Sequence, residues 1–451
     1  MSLEQVHEYV RKKDEEKSSE IDMDDNTMLE EDDEEEELGD IPNSFHHLTD
    51  KHFPLFITYK KLSQMLQGTY GIDTKKLTTQ QKLNTDYNVH DNKKEEIFQG
   101  SYFFNKINAS WAYFVNYKIF QERYWKHFSD YHRQKLDCEL VYSEFSVIKG
   151  LNPEVDYLSK EDYRAISTKK YPAFCHNRDQ IYDLFQQYEK MKARNGDYDS
   201  IDRTLAILRC AKTKPLGGPH IHEVYIDECQ DNHIVDFALI LKIFDRADSI
   251  FFAGDTAQCI AQGSSFRFQD IRSLIYQWEL NRTKINYNLC SMKPKQFELN
   301  VNYRSHNGIL RLASSVIDLI WHFFPNSIDR LSRERGEIGG PLPIMFEEFQ
   351  AETFHYNIFS VGEHASYVEF GAEQVIIVRN DAAKKRVKKL IGKVGLVMTV
   401  FEAKGMEFND VLLYDFFTDS PARSKWRVIL SALDDHSKGV QTFSHEKHYI
   451  L

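Results

Sequence analysis

The chain has 451 residues, 41% hydrophobic and 13% aromatic, which is enough for two or three domains with cores of their own. Its formal net charge of −12 is unevenly placed: residues 1–40 hold 18 acidic against 4 basic side chains, a balance of −14 that leaves the remainder near +2 and not repelled from phosphate. No apolar stretch approaches bilayer-spanning length, and the first residues lack the basic flank and apolar centre of a secretory leader. The six cysteines lie far apart with no Cys-x-x-Cys, so a reduced, intracellular protein without a metal cluster is expected, with nucleus and cytoplasm both open.

Glu30–Glu37 is an unbroken acidic run that cannot bury enough surface to fold, so residues 1–45 are expected to be a disordered acidic tail. Residues 46–109 should open the first α/β unit, with His52-Phe-Pro-Leu-Phe-Ile-Thr58 as a buried strand leading into a helix around Lys60–Leu66. Thr74–Glu96, rich in Lys, Gln, Asn and Asp, reads as an exposed insertion. Residues 110–200 should be mostly helical. Trp111, Phe114, Tyr117 and Phe120, then Tyr182, Phe185 and Tyr188, recur at helical spacing, a pattern that signals helix core rather than a base-stacking platform. Residues 201–298 bring a helix, a Gly/Pro loop at 215–219, a strand at 224–226, a helix over Phe237–Phe244 and a strand over Ser249–Ala253. A linker and helix at 299–340 follow. Residues 341–451 should hold a partial second unit, with strands Glu373–Val378 and Val394–Val400 flanking a basic helix Ala382–Ile391, whose Lys384–Lys389 run reads as a solvated face. Alternating strands and helices imply parallel sheets.

Four segments carry chemistry. Val224-Tyr-Ile-Asp-Glu-Cys-Gln-Asp231 is an apolar, β-prone run, read as a buried strand, that stops at two carboxylates and a glutamine. Such an ending can hold Mg²⁺ through Asp227 and orient or deprotonate water through Glu228, with Gln230 as a neutral sensor. Gly254-Asp-Thr-Ala-Gln258 ends the next strand, placing Gln258 where ligands of open parallel sheets bind. Leu299-Asn-Val-Asn-Tyr-Arg-Ser305 precedes a helix; its Arg304 can reach a γ-phosphate and its Tyr303 can stack on a purine. Thr399-Val-Phe-Glu-Ala-Lys404-Gly-Met-Glu407-Phe408 puts a lysine and a glutamate on a glycine turn.

In this order the four resemble motifs II to V of the UvrD/Rep-like branch of superfamily-one helicases: Asp-Glu-x-Gln, Gly-Asp-x-x-Gln, Asn-Tyr-Arg and Thr-x-x-x-x-Lys-Gly-x-Glu-Phe. His52–Phe56, Phe266–Phe268, Asn302–His306 and Val411–Ser420 are also similar to the helicase-like region of large TPR-and-ankyrin-repeat-containing proteins, a resemblance running from about residue 46 to 430. It implies a P-loop-NTPase α/β fold of two incomplete RecA-like units with a helical insertion, and ATP and Mg²⁺ as cofactors. It also implies roles. Asp227 binds the metal, Glu228 activates water, and Gln230 and Gln258 sense the γ-phosphate. Tyr303 stacks on adenine, Arg304 is an arginine finger and Glu407 meets the ribose. Thr399 and Lys404 lie near a single-stranded nucleic acid or the interface between units.

The sequence contains no Gly-x-x-x-x-Gly-Lys-Ser/Thr loop, whose backbone N–H groups and lysine would cradle the phosphates, and it ends before the family's last motif. The chain is therefore expected to be the middle of a longer protein, with neighbouring segments missing on both sides and negligible ATPase activity in isolation. Two functions stay open: a partial ATP-dependent helicase or translocase module, and a non-catalytic scaffold for protein or nucleic-acid contact.

Overall fold

The computed structural model describes residues 41–72 and 114–437, apart from 169, 172, 245–246, 260–265, 286–293, 326, 346–372, 393–394, 421 and 423–424. Of the tail expected at 1–45, residues 1–40 lie outside the described residues, as do the insertion Thr74–Glu96 and Trp111; its end does not fit the expectation, since Phe45 opens a 3-10 turn and is buried. The chain divides into two units, Met1–Thr69 with Gly217–Pro219, and Tyr70–Leu216 with His220–Leu451.

In the first unit, 3-10 turns at Phe45–His47 and Asp50–His52 precede helix α1, Tyr59–Tyr70. Thr69 Oγ1 donates to Met65 O at 2.7 Å and accepts from Phe45 N at 2.9 Å, tying the first turn to the helix. The strand expected over His52–Thr58 does not form: residues 53–58 take no regular structure and Phe56 is 71% exposed. Pro54 lacks the N–H that a ladder needs, which outweighs the aromatic, β-prone composition. A Cβ at Gly218, where φ is +75°, would strike Phe45 O, so both the dihedral and the close approach require glycine.

The second unit begins with strand β1, Phe114–Val115, parallel to β2, Tyr198–Asp199. Between them run helices α2, Cys138–Gly150, and α3, Arg178–Asn195; α4, Ser200–Thr213, follows. Asp137 caps α2, Gly196 closes α3 in the left-handed region, and Asp199 caps α4 in a reciprocal box with Asp202, satisfying terminal N–H and C=O groups that have no partner within the helix. The expected aromatic core is present. Phe120, Phe145, Phe185 and Tyr188 are fully buried, with Phe120 edge-on to Phe145 at 5.8 Å and Phe145 stacked on Tyr188 at 5.4 Å. Phe114 departs from the helical reading, sitting in β1 against Tyr198. Inside the same region Lys149 Nζ donates to Asp199 at 2.6 Å and Asp202 at 2.5 Å, and Lys192 Nζ to the same two carboxylates at 2.7 and 2.5 Å.

Helix α4 packs on α5, Ile234–Phe244, where Thr204 Oγ1 donates to buried Asp236 at 2.8 Å. Helix α5 connects β3, Val224–Ile226, to β4, Ile250–Phe252; the two strands are parallel, with Tyr225 opposite Phe251. The buried strand expected at 224–226 is covered on one face only, since Tyr225 is 69% and Phe251 53% exposed. Helix α6 covers Phe268–Ile285. The segment expected as a linker and helix contains that helix, α7, Asn307–Phe323, and also β5, Val301–Asn302, and β6, Arg335–Gly336, which are parallel. The last sheet has the order β8-β7-β9, all parallel: β7 is Gln374–Val378, β8 Leu396–Thr399 and β9 Asp410–Leu413. Helix α8, Asp381–Ile391, lays Ala383, Val387 and Ile391 on Ile376, Val378 and Val397. Its Lys385, Arg386, Lys388 and Lys389 are exposed, as a solvated face should be. The short helix α9, Val400–Ala403, and α10, Trp426–Ser437, complete the described elements. Among the described residues no helix is long and apolar enough to cross a membrane.

Candidate functional site

The apolar run of β3 ends where Asp227 Oδ1 accepts the N–H of Glu228 at 2.9 Å. Glu228 then takes φ 50° and ψ 37°, a left-handed conformation that costs a non-glycine residue on the order of 1 kcal/mol or more and turns the chain sharply off the strand. The 3-10 turn Cys229–Asp231 follows. With about three residues per turn, positions three apart lie on one side, so the carboxylates of Glu228 and Asp231 share a face. Cys229 is buried beneath them, its thiol pushed up to about 12 by burial, which makes it an inert packing group.

Gln230 is fully buried and joins the two strand tips. Its Nε2 donates to Glu228 Oε2, and its Oε1 accepts from Asp255 N at 3.1 Å. The backbone does the same: Ala253 N donates to Ile226 O at 2.8 Å and Cys229 N to Ala253 O at 2.9 Å. Gly254 leaves the room this crossing needs, for a Cβ there would meet Gln230 Oε1 and come within 2.8 Å of Cys229 Sγ. Asp255 caps the turn Thr256–Gln258 by accepting from Ala257 N, and Gln258 Nε2 donates back to Asp255 at 2.9 Å. The Gln258 amide is therefore turned onto its own strand end instead of the neighbouring tip. Its backbone carbonyl faces Lys404 Nζ at 3.4 Å.

After β8, Thr399 caps α9. Its Oγ1 accepts from Glu402 N, and Glu402 Oε2 accepts from Thr399 N at 2.7 Å. Thr399 is buried and committed to this box. The chain leaves the helix at Lys404 and Gly405, the latter with φ +79°. Lys404 Nζ donates to Asp231 Oδ2 and lies 3.4 Å from Glu228 Oε2. Burial works against its charge, but the hydrogen bond and attraction from Asp231, with help from Glu228, outweigh that and raise its pKa.

The fourth segment ends at β5. Asn302 Oδ1 accepts from the N–H groups of Arg304 and Ser305 at 2.8 and 2.7 Å, shaping the turn before α7. Tyr303 is 80% exposed. Arg304 Nη2 pairs with Glu407 Oε1 at 2.5 Å. Glu407 is three residues beyond Lys404 on the same turn, so that turn touches both the acidic tip of β3 and the arginine after β5. The structure thus links Glu228, Gln230, Lys404, Arg304 and Glu407 through direct contacts and the turn 404–407. Asp227 adjoins them through Glu228, and Gln258 through its carbonyl.

Over residues 6–275 the chain matches the UvrD/REP helicase N-terminal domain. It belongs to the UvrD/REP helicase family. The matched stretch contains Asp227, Glu228, Gln230 and Gln258. Human TPR and ankyrin repeat-containing protein 1 is 33% identical over 417 residues, covering 85% of this chain and 14% of that protein; the chain spans a small part of its relative. One participant that reading the helicase motifs left out is Asp231. Its signal was present in the sequence, an acid three residues after Glu228, but only the 3-10 turn turns that spacing into a shared face.

Proposed function

We propose that this chain is a UvrD-like, ATP-dependent nucleic-acid translocase module of a longer protein, built on two incomplete RecA-like units and working on a single strand. The observation that carries the reading is the contact of Lys404, on the turn after β8, with Glu228 and Asp231 at the end of β3. Carboxylates from one parallel sheet and a cation from another meet at strand ends, where a triphosphate bound between them would be sensed by both. In this reading Asp227 would hold Mg²⁺, a hard cation bound through one or two carboxylates together with substrate phosphates, and the ion would supply positive charge to the bound phosphates. Glu228, already bent out of the strand, orients or deprotonates the attacking water. Gln230 and Gln258 report the γ-phosphate, Arg304 exchanges Glu407 for it, Glu407 turns to the ribose and exposed Tyr303 stacks on adenine. Thr399 fixes the turn that carries Lys404 near the interface or the nucleic-acid track.

The test is equilibrium binding of Mg·ATP and of a single-stranded oligonucleotide to the full 451-residue chain, beside steady-state ATP turnover. Weak nucleotide binding is expected, reduced about tenfold by Arg304→Ala, in keeping with a charge-assisted phosphate contact. Turnover should be negligible, because the sequence contains no Gly-rich Lys-Ser/Thr loop. No binding at millimolar nucleotide sinks the reading. Brisk turnover abolished by Glu228→Gln would keep the enzyme and overturn the expected inactivity.

A further inference from the structure

The segment between α7 and β6 is bonded at both of its ends to turns that the proposed function uses. At one end Asp329 N donates to Thr256 Oγ1 at 2.8 Å. Thr256 is buried and opens the turn Thr256–Gln258 after β4. The Asp329 side chain reaches the same neighbourhood from a second side, its Oδ2 accepting from Phe268 N at the start of α6 at 3.3 Å. At the other end Glu334 Oε1 accepts from Asn302 Nδ2 at 2.8 Å. Asn302 is also the residue whose Oδ1 takes the N–H groups of Arg304 and Ser305, so one amide group joins this segment to the arginine turn. Residues 329–334 take no regular structure, yet they are tied along their length. Glu298 Oε2 accepts from Ser332 N at 3.3 Å and from Ser332 Oγ at 2.9 Å, the Arg330 guanidinium lies 5.6 Å from the centre of the Trp321 ring, and Arg333 pairs with Asp318 of α7.

We infer that Asp329 and Glu334 are positioning residues, the two ends of a strap that sets how far the turn carrying Gln258 stands from the turn carrying Arg304. The inference rests on the proposed nucleotide reading, which assigns both Gln258 and Arg304 to the γ-phosphate, and it adds residues that the reading leaves without a role. Five peptide steps reach at most about 18 Å, so with both ends bonded the two turns cannot move apart beyond that span plus the bonds themselves. The link acts on the backbone of the arginine rather than on its charge. The Arg304–Glu407 pair is exposed on both sides and restrains the guanidinium weakly, whereas Asn302 holds the N–H of Arg304 itself. A displacement at Thr256 therefore reaches Arg304 through a continuous path: Asp329, the short chain to Glu334, and Asn302.

The experiment uses the full chain with Thr256→Val, which removes the acceptor at nearly constant size, and Glu334→Ala, each beside a conservative control, Thr256→Ser and Glu334→Gln, together with the double variant Thr256→Val, Glu334→Ala. Amide exchange followed by mass spectrometry reads residues 254–259, 303–306 and 327–334, with 374–378 in the last sheet as an internal reference, and Mg·ATP binding is measured on the same proteins. Thr256→Val should speed exchange several-fold in 327–334 and also in 303–306. Glu334→Ala should do so in 303–306 and also in 254–259, and both controls should behave like the parent. Each single variant should weaken Mg·ATP binding about threefold and the double variant no further, because either change cuts the same strap. A role confined to holding the fold would speed exchange in 374–378 as well; that result, or exchange altered only at the substituted end, overturns the strap. Losses that multiply to about ninefold in the double variant overturn its part in the γ-phosphate site. Exchange that spreads from end to end in proteins that bind no Mg·ATP supports the strap as a link between the two turns and overturns the nucleotide reading instead.

Discussion

Lys192 donates to Asp199 at 2.7 Å with the lysine side chain wholly shut from solvent and the aspartate 8% exposed. Around them Lys149, Asp202 and Glu189 complete a cluster of two cations and three anions joining α2, α3 and the start of α4. Burial alone would raise the pKa of Asp199, but the ammoniums of Lys149 and Lys192 outweigh it and hold the carboxyl below the usual carboxylate range. A depressed carboxyl stabilises the fold above its ordinary value of 3.8 and loses that contribution as pH falls through the folded value. Lys192→Met leaves three acids with one partner, and breaking such a buried pair costs about 3–5 kcal/mol. An unfolding free energy from urea titration at pH 7 that falls by less than a fifth of this would show that the cluster relaxes around the lost charge.

Glu144 gives the opposite slope. It is 3% exposed, and burial pushes its carboxyl up to about 7, against the pull of the Tyr163 hydroxyl, which donates at 2.7 Å, and of Arg178. A raised acid contributes fully below 4.5, and its contribution is lost as pH climbs through about 7. Glu144→Gln keeps an acceptor for Tyr163 and removes the ionisation. The difference in unfolding free energy between variant and parent should be near zero at pH 4 and grow to about 3 kcal/mol in favour of the variant by pH 8. Parallel pH profiles for the two proteins would rule the explanation out.

The sequence was most readable where a single local rule decided the outcome. Aromatics at helical spacing became the core around Phe120 and Tyr188, and strands around 224–226, 250–252, 374–378 and 396–399 formed parallel pairs as their alternation with helices requires. Reading stopped where the outcome depended on what lies across a gap. Composition alone made His52–Thr58 a strand, but Pro54 and the lack of a ladder partner among the described residues left Phe56 in solvent. The run at 224–226 read as a buried strand, yet Tyr225 is 69% exposed; whether a sheet face is covered is not encoded in the strand itself. At the site, the types Asp, Glu, Gln, Lys and Arg were legible, but their pairing was not. Thr399 spends its hydroxyl on Glu402, Gln258 turns onto Asp255, and Arg304 finds Glu407, choices made by turn geometry that spacing does not specify.

Gly254 and Gly405 separate two reasons for glycine. At Gly254 the backbone dihedral is ordinary, but an added Cβ meets Gln230 Oε1, Cys229 Sγ at 2.8 Å and Cys229 N at 3.2 Å. The amide of Cys229 is fixed by its bond to Ala253 O, so Gln230 must give way and lose Asp255 N. Gly254→Ala should cost about 1–3 kcal/mol, the usual penalty for overpacking, and weaken Mg·ATP binding in parallel. At Gly405 the Cβ direction is open among the described residues and only the φ of +79° resists, so Gly405→Ala should cost about 1 kcal/mol. Urea unfolding of both variants, with nucleotide binding for the first, checks the contrast; equal losses at the two sites would refute it.

Tyr225 and Phe251 stack face to face on the open side of β3 and β4, with ring centroids 4.8 Å apart and planes 6° from parallel, and both rings are more than half exposed. Such a cross-strand pair contributes about 0.5–1 kcal/mol beyond background, much less than a core aromatic, whose removal costs about 3–5 kcal/mol. Exposed rings on an open sheet also favour contact between copies. Replacing both by threonine keeps β propensity while removing the apolar face. The double variant should lose about 1 kcal/mol or less in urea unfolding and show a lower apparent mass by light scattering at high protein concentration. A loss above about 3 kcal/mol would mean that this face is packed in solution, and an unchanged scattering mass would remove it as a source of self-association.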